Sequence, residues 1–156
     1  MADLTWRPSE IAQRLLDLIS DNKTALLGAD AEVYYGDQSR VPVTPALCVE
    51  PGESNRILAG GQGPYGRTEN KVEALIIIYH GRVDEVQVVK KEADTYAEAV
   101  VDYLDHNPLL ERGGDGGIVI HGYVTNIDPG YKYKKGTLYY AVQITWTGKT
   151  KTMLGA

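Results

Sequence analysis

The sequence predicts an α+β domain: an antiparallel sheet of about four main strands, with two helices packed on one face. Three observations predict it. Residues 138–147 alternate strictly, with Leu138, Tyr140, Val142, Ile144 and Trp146 on one side and Tyr139, Ala141, Gln143, Thr145 and Thr147 on the other. That is the period of a half-buried strand. Residues 74–79, Ala-Leu-Ile-Ile-Ile-Tyr, are apolar on both faces, as in a strand covered from two sides. Two further segments place apolar residues three and four apart, the spacing of an amphipathic helix. At 156 residues the chain is read as a single domain, 1–156, long enough to bury a core.

The first helix is predicted over residues 8–20. Pro8 is tolerated in a first turn, where its missing N–H has no helical partner. Ile11, Leu15, Leu18 and Asn22 form one stripe, flanked by Ala12, Leu16 and Ile19. Residues 31–35 are a short strand candidate, and residues 46–49 a second one, stopped by Pro51-Gly52. Residues 60–70 hold four Gly and one Pro and read as a long flexible loop. The strongest strand covers residues 71–80. A second helix spans 84–105, opened by a capping box of Asp84 and Gln87 and stopped by Asn107-Pro108. Its buried stripe is Val86, Val89, Ala93, Tyr96, Val100 and Leu104. Leu109 and Leu110 are expected to tuck beneath it. Residues 113–117, four Gly around Asp115, lead into a closing hairpin with strands 118–127 and 138–147. Its tip, 128–136, is long, basic and aromatic.

Composition narrows the function. The net charge is −5, which argues against a general nucleic-acid binder, since such proteins replace phosphate counterions with a basic surface. The single cysteine, Cys48, lies in an apolar run and is read as a small buried hydrophobe. One cysteine forms no disulfide within the chain, which fits a reducing compartment. The first residues show no basic region followed by an apolar stretch, so no signal peptide is expected. No apolar run is long enough to span a bilayer. The aromatic set is skewed, with eleven Tyr, two Trp and no Phe. Tyr34, Tyr35, Tyr65, Tyr131, Tyr133 and Tyr139 fall in expected loops or on strand surfaces, the composition of an interaction protein. A core that happens to use Tyr is the alternative.

Catalytic motifs are missing. There is no nucleophile elbow, and Cys48 has no basic or histidine neighbour in sequence to activate it. His80, His106 and His121 show no metal-ligand spacing, although adjacent strands would bring His80 and His121 together. The Gly-rich stretches 60–66 and 113–117 lead into strands, so no helix N-terminus is available to hold a phosphate. Asp102 and Asp105, like Glu50 and Glu53, read as solvated charge. No enzyme activity, cofactor or metal is expected. The sharpest local feature is Lys132, Lys134 and Lys135 interleaved with Tyr131 and Tyr133. It fits a protein partner better than nucleic acid, because affinity for DNA grows with the number of phosphates neutralised.

In organisation, residues 8–147 resemble the tail-terminator (tail-completion) proteins of long-tailed bacteriophages. The shared elements are the leading helix, the Gly-rich loop before the apolar strand, the second helix and the closing hairpin. The hairpin stretches 122–130 and 139–146 look most like that family. The resemblance implies a structural virion protein, a homo-hexameric ring at the head-proximal end of the tail, made in the host cytoplasm. Such a ring caps the tail tube and joins it to the head–tail connector. Genome DNA passes through its lumen without specific binding, which mild acidity would suit. The interface candidates that follow are Gly63, Tyr65 and Arg67 in the loop, and Tyr131, Lys132, Tyr133, Lys134, Lys135 and Tyr139 in the hairpin. The alternatives are a neck or head-completion protein of the same virion, and a small ligand-binding or metal-dependent enzyme using His80 and His121.

Overall fold

A strand that is apolar on both faces must sit inside a sheet with cover on two sides, and the central strand of this protein does. The computed structural model describes residues 4–39, 41, 44–58, 67–82 and 86–153. In chain order the elements are α1 (Pro8–Asp21), α2 (Lys23–Leu26), β1 (Glu32–Tyr35), β2 (Ala46–Leu58), β3 (Arg67–Arg82), α3 (Val86–Asp105), β4 (His121–Lys134) and β5 (Thr137–Met153). They build one five-stranded sheet in the order β1-β2-β3-β5-β4. The α+β class is as expected, with a fifth strand and a short third helix, α2, added. The sheet is also mixed: β1 pairs with β2 in parallel, and the other pairings are antiparallel.

The main core lies between the helices and the sheet. Ile11, Ala12, Leu15, Leu18 and Ile19 of α1 are buried in it. Ala93, Ala97, Val100 and Leu104 of α3 join them, as do Ala74, Ile76 and Ile78 of β3 and Tyr140, Val142, Ile144 and Trp146 of β5. Leu110 is fully buried beneath them, as the sequence suggests. Asn22 departs from the apolar stripe assigned to it. Its amide donates to the Leu18 carbonyl at 3.0 Å and to the Tyr103 hydroxyl at 2.8 Å, which closes α1 and ties it to α3. Asp84, the expected N-cap of the second helix, lies outside the described residues.

A second, smaller cluster lies on the opposite face: Val41, Ala46, Cys48, Ile77, Tyr79, Tyr139 and Ala141, with Tyr34 against it. Val41 and Asp37, which lie between β1 and β2 in sequence, meet this face, and β1 and β2 run parallel. The Tyr139 hydroxyl donates to the Val41 carbonyl at 3.0 Å, and the Tyr79 hydroxyl donates to Asp37 at 2.7 Å. At this end Asp37 and Val41 of the chain itself therefore lie against the second face.

Four strands, β2 to β5, differ from expectation in their bounds, β5 by running on to Met153. β2 does not stop at Pro51-Gly52 but continues to Leu58, with a register irregularity between Pro51 and Ser54. β1 pairs only as far as Val49, so Pro51 has an open side where a missing N–H breaks no ladder. β3 begins at Arg67, so residues 67–70 are strand rather than loop. Residues 60–66 of that expected loop lie outside the described residues. The hairpin differs most. β4 begins at His121 and runs through Asp128-Pro129-Gly130 to Lys134, which pairs with Thr137. The turn is only Lys135-Gly136, both at positive φ (51° and 79°), as in the two-residue turns that join twisted strands. The long tip is thus a strand edge.

Residues 112–117 are fixed to α1. Asp115 accepts from the backbone N–H groups of Gly117 (2.9 Å) and Arg112 (3.2 Å) and pairs with Arg14 at 2.7 Å. These donors, the Gly117 N–H first, hold its carboxyl down to about 2. A carboxylate with a depressed folded-state value stabilises above its unfolded value and loses that contribution as pH falls through the folded one. Asp115→Asn is therefore expected to lower the melting temperature at pH 7 and to bring variant and wild type together as pH falls from about 4 towards 2. Parallel acid titrations followed by circular dichroism would show this, and a constant offset between the curves would refute it.

Candidate subunit interface

β4 is an edge strand, and most of its residues are exposed. Its pairing with β5 sorts its side chains, because directly opposed residues share a face. Ile127, Pro129, Tyr131 and Tyr133 lie opposite Ile144, Val142, Tyr140 and Leu138, on the helix side. Asn126, Asp128, Gly130, Lys132 and Lys134 lie on the other side, which carries no helix. A register irregularity between Val124 and Asn126 separates these from His121 and Tyr123, which also face the helix-free side. The edge thus offers exposed aromatic and aliphatic surface: Ile127 48%, Tyr131 49% and Tyr133 72% exposed.

The hairpin candidates do not share one fate. Tyr133 is open, and Lys135 is exposed in the turn. Tyr131 meets the Tyr140 ring edge-on, with centroids 5.6 Å apart, and the Lys90 ammonium lies 5.9 Å from its ring. Tyr140 in turn donates its hydroxyl to Asp94 at 3.1 Å, and burial together with that carboxylate pushes its phenol up to about 12. Lys132 is half-buried. Lys134 is not free to meet a partner, because it pairs with Asp37 at 2.8 Å. Tyr139 is only 7% exposed, sealed under Val41, which removes it as a contact. Arg67 opens β3 opposite Met153. Gly63 and Tyr65 lie outside the described residues.

The histidine pair is not assembled. His80 lies opposite Tyr140 and His121 opposite Lys149 on β5, about 30 Å apart at ~3.4 Å per residue. They also face opposite sides of the sheet. His80 contacts Glu92 at 2.7 Å and meets the Tyr96 ring edge-on. His121 lies against Tyr123, with centroids 5.8 Å apart. Among the described residues no group of three or more His, Cys, Asp or Glu could hold a metal. Cys48 is fully buried, and burial pushes its thiol up to about 11, the reverse of what a nucleophilic thiolate needs. No helix among the described residues is long and apolar enough to cross a membrane.

A further cluster was not anticipated. β5 extends past Gly148, so Lys149 is a strand residue on the helix-free face. It lies directly opposite Lys71 of β3 on one side and His121 of β4 on the other. With Tyr123, Thr147 and Gly148 these residues line an open depression of about 370 Å³. Continuing the period-two count from Tyr139 through Thr147 to Lys149 would have placed that lysine. The expected strand ended at Thr147, and the row across three strands depends on register.

A chain of the virion of a native gene transfer agent (GTA) particle superposes on this structure with a TM-score of 0.53. The match covers 92% of this chain and 98% of that one, at 14% sequence identity. The two share a fold. Neither a protein-family model nor a curated protein sequence matches this chain.

Proposed function

We propose that this chain is a structural virion protein, a tail terminator that forms a ring, caps the tail tube and joins it to the head–tail connector. The observation that carries the reading is the fold held in common with a virion chain across nearly the whole of both. The unpartnered β4 edge supports it. A long exposed edge is a liability for a protein that works alone, and Tyr-rich surface is characteristic of interfaces. Tyr131, Lys132, Tyr133 and Lys135 are the hairpin residues placed at the boundary with the next copy. Gly63, Tyr65 and Arg67 are assigned to the same boundary or to the tube. The ring is a homo-hexamer at the head-proximal end of the tail, with genome DNA passing through its lumen. No catalytic step is assigned to the chain.

Light scattering over a range of concentrations is expected to give the mass of a hexamer. Tail tubes assembled in its presence are expected to stop at a defined length, and tubes assembled without it to run on. A chain that stays monomeric even beside the tube protein would sink the ring. Tubes that run on regardless would sink the terminator role while leaving a virion protein.

A further inference from the structure

Lys71, Lys149 and His121 stand side by side across three strands of the helix-free face, each opposite the next. All three are exposed. Like charges directly opposed across a ladder are destabilising. Among the described residues the row makes one ion pair, Lys71 with Glu73, whose carboxylate lies 3.9 Å from the ammonium, at the limit of an ion pair. Among the described residues Lys149 has no ion pair. The row therefore costs the isolated subunit stability, and within it little offsets the cost.

α3 carries the opposite defect. Residues 92–105 contain no Lys or Arg. Glu98 and Asp102 are exposed one turn apart, a like-charge spacing that destabilises a helix. Asp102 and Asp105 also lie in the last turns, with no basic residue there, where the helix end is itself negative. Asp105 accepts one bond from the Val124 N–H. Among the described residues none of the three carboxylates has an ion pair. The two patches lie on opposite sides of the sheet, so they do not neutralise each other within one subunit.

We propose that the Lys71, Lys149, His121 row of one copy docks on the Glu98, Asp102, Asp105 stripe of the next. This rests on the ring reading and gives it a contact and a polarity. Two different patches meet, so the contact is head-to-tail, the kind that closes rings. Each patch removes the unfavourable charge of the other. The pairing also takes the lysine row away from DNA, which suits a lumen that genome DNA slides through.

The test uses Lys149→Glu and Asp102→Lys, alone, mixed in equal amounts and combined in one chain, followed by light scattering and sedimentation. Wild type is expected to assemble, and less well in 1 M salt, where the screening length falls to about 3 Å. Each single reversal is expected to weaken assembly at least tenfold with the fold intact. The Asp102→Lys variant is expected to melt no lower than wild type, because it puts a cation at the helix C-terminus. Mixing the two variants, or combining both changes in one chain, is expected to restore assembly. Lys71→Glu serves as a second probe if Lys149→Glu fails to fold. Wild-type assembly that both Lys149→Glu and Lys71→Glu leave unchanged would overturn the docking and spare the ring. A wild type that never assembles overturns both. Oligonucleotide binding that Lys149→Glu abolishes, with assembly unaffected, would assign the row to nucleic acid instead.

Discussion

Gly122→Val is expected to unfold this protein more readily than any surface change, and Trp146→Ala to do comparable damage from the other direction. Gly122 and Gly148 lie directly opposite each other on β4 and β5. A Cβ built on either would overlap the Trp146 indole. The two glycines leave a slot, and the fully buried ring fills it. The indole belongs to the main core, so it has no easy exit. Valine at a strand position ordinarily gains up to ~1 kcal/mol in β-propensity. Overpacking a tight core costs ~1–3 kcal/mol or more, and the steric effect should win. Trp146→Ala leaves a cavity instead and is expected to cost about 3–5 kcal/mol. For a chain of this size that corresponds to a drop in melting temperature of roughly 10 °C. A cycle combining Gly122→Ala with Trp146→Leu isolates the coupling, since the smaller side chain makes room for the added methyl. Strict additivity, or a Gly122→Val variant as stable as wild type, would mean that the ring does not occupy the slot. Gly122 lies between His121 and Tyr123, so even a folded variant is expected to disturb the basic row and weaken assembly.

The same glycines show how far the sequence could be read. Alternation along residues 138–147 correctly sorts the two faces of β5, because burial on one face imposes period two on any strand. The stripe of α1, Asn22 apart, and Ala93, Val100 and Leu104 of the α3 stripe were legible for the matching reason at period 3.6; the side chains of Val86 and Val89 lie outside the described residues. The stretch Asp128-Pro129-Gly130 misled, because its residue types favour turns locally. Whether they form a turn depends on the strand's place in the sheet, and at an edge a proline costs no ladder bond. Pro51-Gly52 misled in the same way, beyond the last β1 pairing. β1 was legible as a strand at residues 31–35, but its parallel pairing with β2 was not, because strand direction in a sheet follows from no local pattern. Candidate site residues fared worst where their partners were distant. Lys134 and Tyr139 have the composition of surface, yet their partners Asp37 and Val41 lie 97 and 98 positions away. The basic row was hidden for that reason too, since three residues from three strands become neighbours only through register.

Asp37→Ala is the second change expected to act strongly, and it separates fold from interface at the hairpin end. Tyr79 is fully buried, and its hydroxyl donates to one Asp37 oxygen at 2.7 Å. Lys134 donates to the other oxygen at 2.8 Å, with its ammonium 5.5 Å from the Tyr79 ring. Burial opposes ionisation of Asp37, but Lys134 and the Tyr79 hydroxyl outweigh it and hold its carboxyl below the ordinary range. Burial, reinforced by Asp37, pushes the Tyr79 phenol up, so it remains a donor. Removing the carboxylate leaves a buried hydroxyl and a mostly buried ammonium without their acceptor. An orphaned buried donor costs ~1–3 kcal/mol, and a broken buried charge pair up to ~5. The pair is partly solvated, with side chains 16% and 25% exposed, so about 2–3 kcal/mol is expected in all. Asp37→Asn keeps an acceptor for Tyr79 and should lose less. The contribution of the carboxylate is present above its unfolded value of ~4 and fades as pH falls through the lower folded one, so urea titrations of wild type and Asp37→Asn should draw together as pH is lowered below ~4. Lys134→Ala then decides how the basic cluster is used. If Lys134 holds Asp37, stability falls first and assembly only with it. If it met another subunit, assembly would fail in a chain as stable as wild type, and the Asp37 pairing would be incidental to the fold.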